Sequence, residues 1–186
     1  MIFPKKYKAL DVNIFTKNDY TLVPIRYEDR LNIMKWRNEQ MYHLRQSEVL
    51  TEENQEGYYK NIISKLFTKK KPNQLLFSFL KNDKCVGYGG LVHIDWGNKS
   101  SEISFIMNTS LEEEYFEILW DKFLILIEKV AFNNLNLQKI STYAYDIRPH
   151  IYKIFEKNGF INEITLKDKY LFNNKSVDVV IHTKNK

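Results

Sequence analysis

The sequence predicts an α/β (α+β) domain in which helices cover both faces of a mixed, mostly antiparallel central sheet. Two observations carry this prediction. Short β-rich runs and helical stretches follow one another in the order ββαα-βββ-α-β-α-ββ. One long helix is apolar on nearly all sides, so it must be largely buried against the sheet. The 186 residues are interpreted as one domain, 1–186, with residues 1–20 as an N-terminal extension and hairpin.

The first half of the chain predicts a hairpin, two helices and a three-stranded meander. Two β-rich runs flank a turn at residues 17–19, and residues 26–39 then have helical character. Thr51 can cap the second helix, whose apolar residues recur with helical spacing. Three strand-like runs follow, and the short turns between them predict antiparallel pairing: residues 74–80, 85–96 and 101–108.

The second half predicts a crossover helix, a parallel strand, a short helix and a closing hairpin. The long helix extends from Leu111 to about Phe132. Because a helix connects them, the strands before and after it are expected to be parallel. The short helix has Pro149 near its first turn and Gly159 as its C-cap. Two last β-rich runs then complete the sheet.

Composition and charge exclude several classes of protein. Hydrophobic residues make up 44% and aromatic residues 15% of the chain, which excludes a disordered polypeptide. The net charge is +5, but most lysines are scattered, so we expect neither a nucleic-acid nor a membrane partner. The single cysteine, Cys85, and the lack of a long apolar run predict a cytoplasmic protein. Four histidines without ligand spacing predict no metal.

Two stretches resemble those of a known family. "RPHIYKIFEKNGF" (148–160) is similar to the short helix ending in Gly-Phe in the GCN5-related N-acetyltransferases, or GNAT superfamily. "IRYEDRLNIMKWRNE" (25–39) resembles the first helix of the branch that acetylates nucleotide-linked amino sugars. The resemblance implies a GNAT-like fold and direct acetyl transfer from acetyl-CoA to a small-molecule amine. It further implies a nucleotide-linked amino sugar as acceptor and a role in polysaccharide biosynthesis. The sequence does not name the oligomeric state, and a homodimer is the assembly to test.

The resemblance also implies where the donor binds. In this family a splayed strand offers backbone groups to the pantetheine arm of coenzyme A, and the next helix receives the pyrophosphate. The implied donor residues are Phe105, Ile106, Met107, Asn108 and Arg148. The family's glycine-rich loop is missing, and Glu112–Glu114 stand in its place, with Ser110 and Glu113 fitting a capping box. Such carboxylates repel a pyrophosphate. Three explanations stay open: a helix that starts later, a donor placed differently, or lost acyl-CoA binding.

Three side chains are candidates for proton transfer. His93 and Asp95 share one face of a glycine-rich strand by its period of two, so His93 is the predicted base, held by Asp95. Glu102, at the start of the next strand, is the alternative base. The resemblance aligns Phe155 with a tyrosine that protonates the leaving thiolate, and phenylalanine has no proton to give. Tyr145, at the end of a strand, is the replacement we predict.

A further group of residues predicts the acceptor site. Arg37 can bind a phosphate or carboxylate bidentately, and tryptophan can stack on a ring. The candidates are Trp36, Arg37, Asn38, Asp95 and Trp96. Each also has a structural interpretation, such as a core tryptophan or a solvated arginine. Two other functions stay open: acetylation of a protein N-terminal amine, as in ribosomal-protein acetyltransferases, and a GNAT-fold binding module without catalysis.

Overall fold

One eight-stranded sheet forms the centre of the protein. The computed structural model describes residues 3–186, so the first two residues of the predicted extension lie outside the described part. The strand order across the sheet is β1-β2-β3-β4-β5-β6-β8-β7. The strands are β1 (Phe15–Lys17), β2 (Tyr20–Pro24), β3 (Leu75–Lys81), β4 (Lys84–Asp95), β5 (Ser100–Met107), β6 (Lys139–Tyr145), β7 (Ile161–Phe172) and β8 (Lys175–Asn185).

The helices occupy the predicted places between the strands. Thr51 caps the second helix as predicted, because its Oγ1 accepts a hydrogen bond from the Asn54 amide at 3.1 Å. In the described residues, no helix is long and apolar enough to cross a membrane. The helical segments are α1 (Arg30–Glu39), α2 (Glu52–Tyr58), a π-helical turn (Tyr59–Ile63), α3 (Ser64–Leu66), α4 (Glu112–Glu128), a second π-helical segment (Lys129–Asn134) and α5 (His150–Lys157).

The strand pairing leaves a split in the middle of the sheet. Strands β1 to β5 pair antiparallel in sequence, and β5 and β6 are parallel, as the crossover helix predicts. The β5–β6 pairing stops at Glu102 and Ser141, although β5 continues to Met107 and β6 to Tyr145. On its far side, β6 pairs with β8 along its whole length. Beyond Glu102, the facing edges of β5 and β6 therefore border a gap.

Helix α4 packs on one face of the sheet through aromatic rings. Phe123 stacks on Phe105 with ring centroids 4.0 Å apart and meets Phe79 at 5.8 Å. Gly89 of β4 permits this packing, since a Cβ there would lie 2.1 Å from the Ser104 carbonyl oxygen and 2.9 Å from the Phe123 ring. Because Gly89 has no side chain, both α4 and the neighbouring strand β5 can pack closely against β4 at this position. Helices α1 and α2 lie over the opposite face.

The start of α4 differs from the prediction. A 3-10 turn precedes the helix, and Asn108 Oδ1 accepts a hydrogen bond from the Ser110 amide at 3.1 Å. The predicted capping box of Ser110 and Glu113 is wrong, because Leu111 is the N-cap of α4 and makes no side-chain capping hydrogen bond, while the Ser110 hydroxyl donates to Asn108 Oδ1 at 3.0 Å. Helix α4 begins at Glu112, so the acidic residues form its first turn rather than a surface loop. This removes the explanation in which the helix starts later.

The regular alternation of side chains along β4 breaks down near the end of the strand. The pairing of β4 with β5 shifts between Val92 and Asp95, and His93 within this bulge has a φ of +52°. A bulge redirects side chains that regular alternation would place on one face. The predicted His93–Asp95 pair consequently does not form. Asp95 Oδ1 instead accepts hydrogen bonds from the Gly97 and Asn98 amides, both at 2.9 Å.

Candidate active site

The split between β5 and β6 opens into a cavity of about 420 Å³, here called the first cavity. Its walls are the separated ends of the two strands, Ile103–Phe105 and Thr142–Tyr145. Side chains from the α4 face and from the α1 face also line it, among them Trp120, Phe155, Arg37 and Leu44. The first cavity therefore passes through the sheet. Two molecules can therefore enter it from opposite faces and come close to each other in the middle of the sheet.

Glu102 lies where the two strands begin to separate. Its Oε1 accepts a hydrogen bond from Arg45 Nη2, and its Oε2 is 3.1 Å from His93 Nδ1. The Glu102 side chain is 15% exposed, whereas the His93 side chain is 67% exposed. Arg45 also lies over the Tyr143 ring, 4.6 Å from its centroid. The carboxylate is therefore on the sheltered side of this pair and the imidazole on the solvent side.

A series of hydrogen bonds links α1 to the beginning of α4 at one end of the first cavity. Gln40 Nε2 donates to the Met107 carbonyl at 2.8 Å, and Gln40 Oε1 is 3.3 Å from His43 Nε2. Arg148 Nη2 donates to His43 Nδ1 at 3.2 Å, and Arg148 Nη1 donates to Glu112 Oε1 at 2.9 Å. Burial and the Arg148 charge lower the pKa of His43 to about 3, so the imidazole is neutral.

Tyr145 is the residue that the sequence predicts as the proton donor. It lines the first cavity, as Phe155 does, and its ring stacks on Tyr170 with centroids 3.7 Å apart. Burial raises the pKa of Tyr145 above its ordinary value. Tyr152 lies on α5, but its hydroxyl donates to Asp146 Oδ1 at 2.9 Å and is outside the lining of the first cavity.

The structure gathers about half of the predicted site residues around the first cavity. Those that line it are Arg37, His93, Glu102, Phe105, Tyr145 and Arg148. Those that lie outside its lining are Trp36, Asn38, Asp95, Trp96, Ile106, Met107 and Asn108. Of the predicted site residues, only the first group enters the proposals about catalysis and substrate binding.

Local contacts explain the positions of three residues of the second group. Trp36 is 4% exposed and belongs to the core. Asn38 binds the backbone of Leu50, with its Nδ2 donating to the carbonyl and its Oδ1 accepting from the amide, both at 2.9 Å. Trp96 Nε1 donates to the Pro72 carbonyl at 2.8 Å. These side chains hold loops and the core together.

Sequence reasoning missed several residues that the fold brings to the first cavity: His43, Gln74, Ser104 and Thr142. Thr142 had a detectable signal, because it lies on the buried face of β6, in phase with Ile140. Its Oγ1 is buried and lacks a hydrogen-bond partner in the described residues. The other three depend on contacts between distant segments, which a single sequence does not display.

The first cavity fits an extended donor that carries amides and phosphates. Beyond Glu102 the edge of β5 offers backbone groups without a partner strand, and the Thr142 hydroxyl offers a further polar contact. Arg148 and the first turn of α4 offer positive charge for an anion, although Glu112 offsets part of it. Among residues 3–186, no three His, Cys, Asp or Glu side chains are grouped as metal ligands.

Comparison with family models identifies this architecture. Residues 22–181 match the model described as "Acetyltransferase (GNAT) domain". The chain belongs to the GNAT family. The predicted fold class is confirmed, and the protein is an acyl-CoA-dependent N-acetyltransferase whose donor is acetyl-CoA. No curated protein matches the sequence significantly.

Solved structures share this GNAT fold over nearly the whole chain. Spermidine N-acetyltransferase from Vibrio cholerae, in complex with CoA and spermine, has a TM-score of 0.77 at 19% identity, covering 91% of this chain and 96% of that chain. A chimera of that enzyme has a TM-score of 0.72 at 20% identity, covering 90% and 95%. A dodecameric form has a TM-score of 0.70 at 19% identity, covering 91% and 95%. At these identities the likeness establishes the fold alone.

Proposed function

We propose that the protein transfers an acetyl group from acetyl-CoA to the primary amine of a nucleotide-linked amino sugar. The charge of the first cavity carries this proposal. In the described chain its lining contains three arginines, Arg37, Arg45 and Arg148, and one carboxylate, Glu102. Arg148 is paired with Glu112 at the donor end, so Arg37 and Arg45 are the arginines left for the acceptor. Guanidinium groups bind phosphates bidentately, so an acceptor that carries a diphosphate is favoured.

The same charges disfavour a polyamine acceptor. Glu102 is already paired with Arg45 and His93. The additional ammonium groups of a polyamine would lie beside arginines, and like charges at short distance repel strongly when partly buried. The solved structures named for spermidine share the fold, but the acceptor proposed here differs for this electrostatic reason.

Glu102 is the residue that we assign to accept the proton of the amine. Acetyl-CoA supplies the thioester carbonyl that a neutral amine can attack directly. The Glu102 carboxylate borders the first cavity, and His93 beside it can pass the proton to solvent. The Tyr145 hydroxyl returns a proton to the departing sulfur. This arrangement reverses the order expected from the sequence, in which His93 was the preferred base.

A panel of acceptors tests the proposal through the release of the coenzyme A thiol. A UDP-linked amino sugar, spermidine and a short peptide with a free N-terminus are compared at saturating acetyl-CoA. We expect kcat/KM for the UDP-linked amino sugar to exceed the other two at least 100-fold. Glu102→Gln should lower kcat by about 10²–10⁴-fold. Glu39→Gln, at the exposed end of α1, is the matched control and should leave kcat unchanged.

Each other outcome selects a different function. Preference for spermidine would contradict the electrostatic argument. Preference for the peptide would indicate acetylation of protein N-termini. Binding of acetyl-CoA without thiol release for any amine would indicate a binding module.

A further inference from the structure

A second cavity of about 350 Å³ lies beneath α1 and α2, on the face of the sheet opposite α4. It shares four lining residues with the first cavity: Arg37, Gln74, Val92 and Ser104. The two cavities are therefore continuous at the middle of the sheet. A molecule that occupies the second cavity can present one end to Glu102 in the first.

The lining of the second cavity is apolar with a few neutral polar groups. Its wall includes Ile33, Leu50, Ile63, Leu76, Tyr58 and Tyr59. Arg37 is the one charged residue in the described lining, and no carboxylate contributes to it. Arg37 Nη1 donates to the Tyr88 hydroxyl at 2.5 Å, which fixes the guanidinium at the junction with the first cavity. Such a lining suits a ligand whose main part is uncharged and which carries an anionic group near Arg37.

Tyr59 supplies an independent sign of a ligand. It lines the second cavity and is 1% exposed, yet its hydroxyl has no hydrogen-bond partner in the described chain. The neighbouring Tyr58 hydroxyl, in contrast, accepts from Gln74 Nε2 at 3.1 Å. Tyr59 is also the first residue of the π-helical turn that follows α2, a distortion often found at functional sites. Buried hydroxyl groups are normally satisfied, so the Tyr59 hydroxyl is available to a polar group that enters the second cavity.

We propose that the second cavity binds the ring of the acceptor, an uncharged, hydroxyl-bearing sugar ring, and that Tyr59 hydrogen-bonds one of its hydroxyl groups. This inference rests on the proposed function, because it takes the acceptor to be an amino sugar. The ring carbons contact the aliphatic and tyrosine side chains. The amine extends past Ser104 towards Glu102, and the phosphates lie near Arg37 and Arg45. Tyr59 is therefore a specificity-determining residue for the acceptor.

The test uses Tyr59→Phe, which removes only the hydroxyl and keeps the packing of the ring. Tyr27→Phe is the matched control, because Tyr27 lies next to Tyr59 with ring centroids 6.1 Å apart but outside the second cavity. Leu50→Trp is a third variant that fills the cavity from its half-exposed loop. We expect Tyr59→Phe to raise KM for the UDP-linked amino sugar about 3- to 10-fold, the loss of one hydrogen bond. KM for acetyl-CoA should not change.

Calorimetric binding of the methyl glycoside of the amino sugar, which has no nucleotide, separates this inference from the proposed function. If the glycoside binds, and both Tyr59→Phe and Leu50→Trp weaken this binding, the second cavity binds the sugar ring. This conclusion would hold even if the nucleotide-linked sugar were not acetylated. If the UDP-linked sugar is acetylated with a KM that neither variant changes, the inference is wrong and the function stands. Failure of the glycoside to bind, or spermidine binding that depends on Tyr59, would also overturn the inference.

Discussion

The Glu112 carboxylate holds the guanidinium that a donor pyrophosphate would need. Arg148 Nη1 donates to it at 2.9 Å, and both groups lie at the first turn of α4. Glu112→Gln should therefore lower KM for acetyl-CoA several-fold, since one negative charge at a helix N-terminus is worth about 0.3–1 kcal/mol. Glu114→Gln, an exposed residue of the same turn, is the control and should have little effect. A higher KM in Glu112→Gln would instead mean that Glu112 orients Arg148 for the donor.

Tyr145 and Phe155 allow a test of the proton donor by exchange. Both line the first cavity, and only Tyr145 carries a hydroxyl. Tyr145→Phe should lower kcat by tenfold or more, because the leaving sulfur loses its acid. Adding Phe155→Tyr to that variant should restore part of kcat, since it places a hydroxyl at the position that the family resemblance aligns with a tyrosine acid. Steady-state kinetics measures both, and an unchanged kcat in Tyr145→Phe would exclude Tyr145.

His43 should make the protein less stable in mild acid. Its folded pKa of about 3 is below the usual value of 6.5, so between these values the unfolded chain binds more protons. The free energy of unfolding should fall as pH falls below about 6.5, by at most about 1.4 kcal/mol per pH unit from this residue. Urea unfolding at pH 7, 6 and 5 measures the slope. His43→Gln should show a shallower slope, whereas equal slopes would contradict the burial of a neutral imidazole.

At the level of elements, the close contact of β4 with its neighbours depends on glycine. A Cβ on Gly89 would lie 2.1 Å from the Ser104 carbonyl oxygen, and backbone atoms cannot move away easily. Gly89→Ala should lower the free energy of unfolding by about 1–3 kcal/mol or more. Gly57→Ala in α2 is the control, because its nearest contact is 3.9 Å and alanine favours a helix. Equal thermal stability of the two variants would contradict the close packing.

The elements could be predicted because their signals are local. The hairpins, the meander and the parallel placement of β6 follow from turn length and periodicity, and the structure has all of them. The failures occur where local geometry departs from a regular period. The bulge at His93 separates it from Asp95, and a 3-10 turn capped by Asn108 precedes α4, so Ser110 is not the N-cap of the helix. A prediction based on strict alternation of side chains cannot detect a bulge.

The candidate site could be predicted only in part because its contacts are long-range. Glu102 and Tyr145, which line the first cavity, were predicted from their places at the ends of strands, where sites often open. The ion pair of Arg148 with Glu112 joins residues 36 positions apart, and the pair of Arg45 with Glu102 joins residues 57 apart. Such pairs exist only once the sheet is assembled. The sequence therefore contains the three arginines of the first cavity but does not show that they form one charged surface.

For the whole molecule, the central claim is that acetyl-CoA binds in the split between β5 and β6. Hydrogen exchange of the backbone amides, measured with and without saturating acetyl-CoA, tests it directly. The β5 amides that face the gap have no partner strand beyond Glu102 and should exchange quickly in the free protein. We predict that acetyl-CoA slows exchange in residues 103–107 and at the start of α4, while the edge strand β7 stays unchanged. Binding without protection of residues 103–107, or no binding at millimolar acetyl-CoA, would contradict the account.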